Sequence, residues 1–313
     1  MRPRDRQEGT RLARCLRAFV REVYPLPGIE SAGCLDSFVE QLLESEHRVQ
    51  YVRRMLERDV SPQRADCKSA LFDPLKAAII HAREGRIDEA FWLVFLSVHF
   101  GKHLKTGWRL ARDVYGALGL PRPWTWARIS RDTAGFSDWL QKNEERLRTD
   151  GIPRHFGNHR KYETLKADSM HGTARVFESY VNWVAPPRTH EALVAEALEA
   201  TDGDRRLAFD RLYISMSCVI RFGRTAKFDY LTMLGKLSLA DIEPGSTYMN
   251  EATGPAKGAR LLFAGRLDAH LDVHRLDRMV VELESRLLVG MQVMEDALCN
   301  WQKSPSKFRP FRG

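Results

Sequence analysis

The stretch "DEAFWLVFLSVHF" (Asp88–Phe100) decides the fold class. It is apolar nearly all round, so it reads as a helix buried in the centre of a globular core rather than one lying on its surface. Its most apolar part, Phe91–Phe100, is too short to span a bilayer. Working outward, helical patterns dominate on both sides. "SFVEQLLESEHRVQYVRRMLERD" (Ser37–Asp59) repeats apolar residues at helical spacing behind Ser37 as N-cap. "PPRTHEALVAEALEA" (Pro186–Ala200) offers Thr189 as a cap. The run His274–Pro305 reads as one long helix weakened at Gly290. Alternating strand patterns bounded by hairpin turns are hard to find. The expectation is a mainly α fold with few or no strands. A soft boundary is expected near residue 65, between an N-terminal helical segment (1–65) and a helical catalytic domain (66–313), with one continuous domain as the alternative.

Lys and Arg number 49 against 41 Asp and Glu, a formal charge of +8. That balance favours a polyanionic partner such as nucleic acid. Five scattered cysteines without a C-x-x-C spacing read as reduced thiols. The basic start lacks the apolar region of a secretory signal, so a cytoplasmic location is expected.

The central stretch runs directly into "HFGKHLK" (His99–Lys105), and the same pattern returns in "HFGNHRKYE" (His155–Glu163) and "RFGRTAKFD" (Arg221–Asp229). Each joins an apolar residue, Phe-Gly and a cluster of cations. Glycine allows close backbone approach, so successive N–H groups can cradle an anion while neighbouring cations neutralise it. The candidates are Lys102, His103 and Lys105 in the first loop. In the second they are Gly157, His159, Arg160 and Lys161, and in the third Arg221, Gly223, Arg224 and Lys227. Three such loops on one face would track a nucleic-acid backbone. The competing reading is a helix stop, with glycine after the last turn and cations favoured by the helix dipole; it is preferred for the first loop. In the second loop Asn158, Tyr162 and Glu163 add groups able to read a base or sugar, which a helix stop does not need.

Three His-x-x-x-His pairs (His99/His103, His155/His159, His270/His274) have helical metal-site spacing. Two straddle a glycine and the third lacks a partner carboxylate pattern, so no metal is expected. "RFGRTAKFDYLTMLGKL" (Arg221–Leu237) and the segment from Thr253 to Leu276 each echo a helix-hairpin-helix incompletely. In the second echo a Gly-rich turn and Lys257 precede Asp268. Lys257 is also a minority candidate for a Schiff-base nucleophile. Cleaving an N-glycosidic bond builds positive charge on the sugar, which a carboxylate stabilises. Asp229 is the first choice for that role, with Asp268, Glu163 and Glu295 in reserve. Trp108, Trp124, Trp126 and Tyr248 are candidate stacking partners for an extruded base.

Five strings occur in an order that resembles one family: Leu71–Gly116, "FGNHRKYETL", "RFGRTAKFDYLTMLGKL", "TGPAKGARLLF" and "MQVMEDALCNWQKSPSKFRPFRG". It is the α-glutamyl/putrescinyl thymine pyrophosphorylase-like family, in particular its third clade. The resemblance implies a DNA-glycosylase-related helical architecture of the helix-hairpin-helix type and a role in phage and bacterial DNA modification and defence. It implies double-stranded DNA carrying modified bases as partner; no cofactor and no obligate protein partner are expected. The leading expectation is a DNA glycosylase that excises a hypermodified pyrimidine, for example glucosylated hydroxymethylcytosine, from phage DNA and leaves abasic sites. The alternatives are a transferase replacing pyrophosphate on 5-pyrophosphorylmethyl-uracil with an amine, and a non-catalytic DNA-binding protein.

Overall fold

The structure, a computed structural model, describes residues 3–310; residues 311–313, which end the C-terminal string of the family resemblance, lie outside the described residues. Among the described residues there are fourteen α-helices and no strand. In chain order they are α1 (Arg6–Glu22), α2 (Cys34–Glu57), α3 (Pro74–Arg83), α4 (Ile87–Phe100), α5 (Arg109–Tyr115), α6 (Trp126–Ile129) and α7 (Thr133–Thr149). There follow α8 (Thr173–Val184), α9 (His190–Glu199), α10 (Arg205–Ser215), α11 (Arg224–Lys236), α12 (Thr253–Ala264), α13 (Val273–Leu287) and α14 (Met291–Trp301). No described helix is long and apolar enough to cross a membrane.

The chain forms two compact units, and the division differs from the expected boundary at residue 65. One unit is Met55–Glu243; the other takes the chain up to Arg54 and resumes at Pro244. The reason is a shared core. Leu12, Leu16 and Phe19 of α1 and Phe38 and Leu42 of α2 are buried in one cluster with Leu262, Leu283, Leu298 and Trp301. In that discontinuous unit α12 packs on α13 and α14, and α1 on α13. Gly258 permits the α12–α14 contact, since a Cβ there would stand 2.2 Å from the Leu298 carbonyl oxygen. "TGPAKGARLLF" is therefore helix with small residues at a close helix crossing, and the Gly-rich turn expected before Lys257 is not formed.

In the other unit α4 packs on α3, α5, α6, α9 and α11. Ala90 through Leu96 and Phe100 are all at most 1% exposed, as the all-apolar pattern requires. Trp92 and Phe95 stack at 5.3 Å, and Phe95 lies 3.8 Å from Tyr180 of α8, centroid to centroid. Each large apolar side chain removed from water is worth roughly 1.5–3 kcal/mol. The core therefore fixes α4, and with it the loop leaving its end.

Local starts and stops differ in detail from the sequence expectations. Ser37 lies inside α2, which begins at Cys34 after the left-handed Gly33. Thr189 caps α9 by accepting from the Ala192 N–H at 3.1 Å. The C-terminal run is two helices, broken where Leu288 and Gly290 take positive φ (56° and 90°).

Candidate nucleic-acid interface and active site

The first Phe-Gly loop is a helix stop. Gly101 takes φ 64° and ends α4, with its N–H donating to the Ser97 carbonyl at 3.0 Å. The second loop docks on that stop. The Gly157 N–H donates to the Phe100 carbonyl at 2.8 Å, and Phe156 stacks on Phe100 with centroids 5.7 Å apart. Gly157 is required by proximity, not by φ: a Cβ would meet the Gly101 carbonyl carbon at 2.8 Å. His103 and His155 bring the same two loops together, ring to ring at 4.8 Å. Beyond Gly157 the chain turns through a single 3-10 turn, Asn158–Arg160, and the Glu163 N–H closes on the Arg160 carbonyl at 2.9 Å.

The third loop is anchored by Phe222, buried and stacked on Phe95 at 4.7 Å. Arg221, in the left-handed region at φ 63°, turns its guanidinium onto the second loop. It donates to both Glu163 carboxylate oxygens at 3.1 and 3.2 Å and to the Tyr162 carbonyl at 3.3 Å. Arg160 lies over the Phe222 ring at 5.6 Å. The three loops thus converge within one unit. Gly223 occupies the N-cap position of α11 with open space around it. Arg224 is buried with its guanidinium 4.9 Å over Phe228. Lys227 donates to Ser217 Oγ at 2.9 Å and lies over Tyr213. Lys102, Asn158, His159, Lys161 and Tyr162 are exposed, and Lys161 sits 5.1 Å over the Tyr162 ring.

The two nearby acids have different fates. Glu163 is 6% exposed at its side chain and held by Arg221, so it clamps the second loop to the third. Asp229, on the outer side of α11, makes no side-chain hydrogen bond or ion pair among the described residues. Solvent reaches it, yet the surrounding protein pushes its carboxyl above the ordinary Asp value, while Arg160, Lys236, Arg224 and His159 pull it back. Arg160 responds in the opposite sense. Burial lowers its pKa, Asp229 and Glu163 raise it, and its buried Nη2 has no hydrogen-bond partner among the described residues. A carboxylate without a direct partner, surrounded by cations, can meet a ligand without first breaking an internal bond.

The remaining candidates have other surroundings. Lys257 and Asp268 belong to the discontinuous unit, where both border one open depression with Arg260 and His270. Asp268 is exposed and paired with Arg266 at 3.2 Å, which lowers its pKa. Glu295 is half-buried on α14 in that unit. Trp124 and Trp126, expected as stacking partners, are 1% and 7% exposed core residues. Trp108 and Tyr248 are half-buried. His99 is fully buried with Nε2 3.1 Å from Thr173 Oγ1, and burial lowers its pKa to about 3. Among the described residues no group of three or more His, Cys, Asp or Glu could hold a metal.

Sequence reasoning missed a buried polar chain. His190 Nδ1 lies 2.6 Å from Asp88 Oδ1, His190 Nε2 2.8 Å from Tyr180 Oη, and that oxygen 2.7 Å from Tyr230 Oη. Burial holds His190 below its usual pKa, and bonding to His190 holds Asp88 low against its own partial burial. An ionised Asp88 accepts from Nδ1–H, so neutral Nε2 accepts from Tyr180, whose oxygen accepts from Tyr230. Tyr230 is the residue after Asp229, so this chain pins the helix that carries the carboxylate. Glu89 was missed too: it accepts from Tyr115 Oη at 2.7 Å and the Trp126 N–H at 2.6 Å, and burial raises its carboxyl to about 7. No spacing in the sequence signals either, since the partners stand far apart along the chain.

No curated protein matches the chain, and no solved structure matches it. One family model does match, over residues 34–313, and its description names chemistry on thymine. With that match covering most of the sequence, the chain belongs to the alpha-glutamyl/putrescinyl thymine pyrophosphorylase clade 3 family.

Proposed function

We propose that the chain is a monofunctional DNA glycosylase that removes a hypermodified pyrimidine, with Asp229 as its carboxylate. The observation that carries this reading is Asp229 itself, a solvent-reached carboxylate without a direct partner among the described residues, in the midst of the converging basic loops. The cations of the loops, among them Lys102, Arg160 and Lys161, would hold the phosphates flanking an extruded nucleotide. As the bond from C1′ to the base nitrogen breaks, its electron pair leaves with the base and positive charge grows on the sugar. Asp229 would stabilise that charge and accept a proton from the water that attacks C1′. The raised pKa suits the proton-accepting step. The product is an abasic site, and in this reading the enzyme guards its host against phages with hypermodified DNA.

A specific observation also favours transfer. Arg160, Lys236, Arg224 and His159 all act on Asp229, a concentration of positive charge that suits a departing pyrophosphate as well as a DNA backbone. In that reading Asp229 would deprotonate an incoming amine as it displaces pyrophosphate from 5-pyrophosphorylmethyl-uracil.

One experiment separates the readings. Purified protein is incubated with unmodified DNA, glucosylated phage DNA and pyrophosphorylated DNA plus amines, and small molecules and abasic sites are quantified by mass spectrometry. A released modified base with matching abasic sites establishes the glycosylase. Released pyrophosphate with an aminated base establishes the transferase, and salt-dependent binding without product leaves a binding protein.

A further inference from the structure

The tip of the first Phe-Gly loop is more constrained than a helix stop requires. His103 and Gly107 exchange backbone hydrogen bonds, 3.1 Å from the His103 N–H and 2.9 Å from the Gly107 N–H. Gly107 takes φ 58°, and the Thr106 N–H and hydroxyl lie 3.2 and 3.0 Å from His103 Nδ1. The short turn between them presents Leu104 with 84% of its surface in water. Lone exposed leucines are common on protein surfaces; this one is held on a braced tip between exposed Lys102 and Lys105. Tyr162, 78% exposed on the second loop beside Lys161, repeats the pattern, and the two loops are joined at Gly101–Gly157 and His103–His155.

An apolar side chain displayed among cations fits a polyanion whose interior is apolar and stackable, the partner that the DNA-acting reading above favours. Duplex DNA is such a polymer: phosphates engage the lysines while a side chain enters between base steps. We propose that Leu104 is an intercalating wedge, entering the stack beside the target nucleotide, with Tyr162 stacking on an exposed base nearby. The inference rests on the DNA-acting reading above and assigns the residue that opens the duplex. Extruding a paired base costs unstacking and unpairing, less for a mismatched one. The wedge should therefore matter most on a fully paired target.

The test uses the full chain and short duplexes carrying 2-aminopurine beside a central thymine, 5-hydroxymethyluracil or glucosylated 5-hydroxymethylcytosine, each paired or mismatched. Binding is read by anisotropy and unstacking by 2-aminopurine fluorescence. Leu104→Ala should keep duplex affinity within about threefold, because phosphate contacts dominate it, yet lose most of the fluorescence rise on paired duplexes. Mismatched duplexes should restore that rise, and Leu104→Met should behave as wild type. A fluorescence rise unchanged in Leu104→Ala overturns the wedge and leaves the DNA-acting reading standing. A wild-type chain that binds none of the duplexes overturns both.

Discussion

Gly157 lies so close to Gly101 that a methyl group on it would stand 2.8 Å from the Gly101 carbonyl carbon, with the Gly157 N–H bonded to the Phe100 carbonyl. This contact joins the first basic loop to the second, and through the Arg221–Glu163 pair to the third. Backbone meets backbone there, so neither side can yield by a rotamer change. Gly157→Ala should cost about 1–3 kcal/mol of stability, the usual range for overpacking. Gly223→Ala meets open space at φ −70° and should stay within about 1 kcal/mol, the scale of an N-cap change. Chemical-denaturation midpoints check both, and equal losses would remove the docking argument.

Asp229→Asn keeps shape and removes the charge. Turnover should fall about 10²–10³-fold, the scale for one electrostatic partner of a transition state, while DNA affinity is unchanged or rises because a negative charge leaves the basic surface. Single-turnover kinetics with anisotropy separates the two effects. Near-wild-type turnover would return the choice to Asp268 and Glu295.

The pH dependence of that turnover has a definite direction. In the proposed role Asp229 must be ionised, so the rate should fall as pH falls through its pKa, which lies above the ordinary Asp value. Arg160 lowers that pKa more than any other charge around it. Arg160→Ala should therefore move the acid limb of kcat/KM to higher pH, whatever it does to the plateau. A limb that stays in place would show that another group titrates.

Glu163 and Arg221 should behave as a unit. Each single alanine variant loosens the same clamp, so their effects on stability should be non-additive, with a coupling of about 1–2 kcal/mol for a bidentate charged pair. A double-mutant cycle by thermal unfolding measures it. Additive losses would return Glu163 to the role of a base-reading group.

The Asp88–His190 pair predicts acid lability. Both groups have folded pKa values below their usual ones. The stabilisation is present above the unfolded values and is lost as pH falls toward the folded ones. Stability should therefore decline from the ordinary histidine range downward through the carboxylate range. Asp88→Asn should cost about 1–3 kcal/mol at neutral pH and flatten the decline in the carboxylate range. Urea titrations across pH check this, and an unchanged slope would contradict it.

By itself the sequence determined the fold class and the chemistry of the loops. The all-apolar run at Phe91–Leu96 had to be buried, because it leaves no face for water, and its place in a longer stretch without strand or hairpin signals made it a helix. The cations after each Phe-Gly pair were equally plain, since residue identity carries charge wherever the chain goes. Tertiary structure alone decided which loops meet and which acid is spoken for. Glu163 and Asp229 are both acids beside cations in the sequence. One is clamped by an arginine 58 positions away, while the other lacks a direct partner among the described residues, because packing on Phe95 sets where Arg221 turns. The division into compact units departs from residue 65 for a related reason: α1 and α2 complete a core supplied by α12, α13 and α14. The Asp88–His190–Tyr180–Tyr230 chain likewise joins residues from four separate stretches. Periodicity reports what each segment must bury, whereas partnership between distant segments emerges only when those surfaces close on one another.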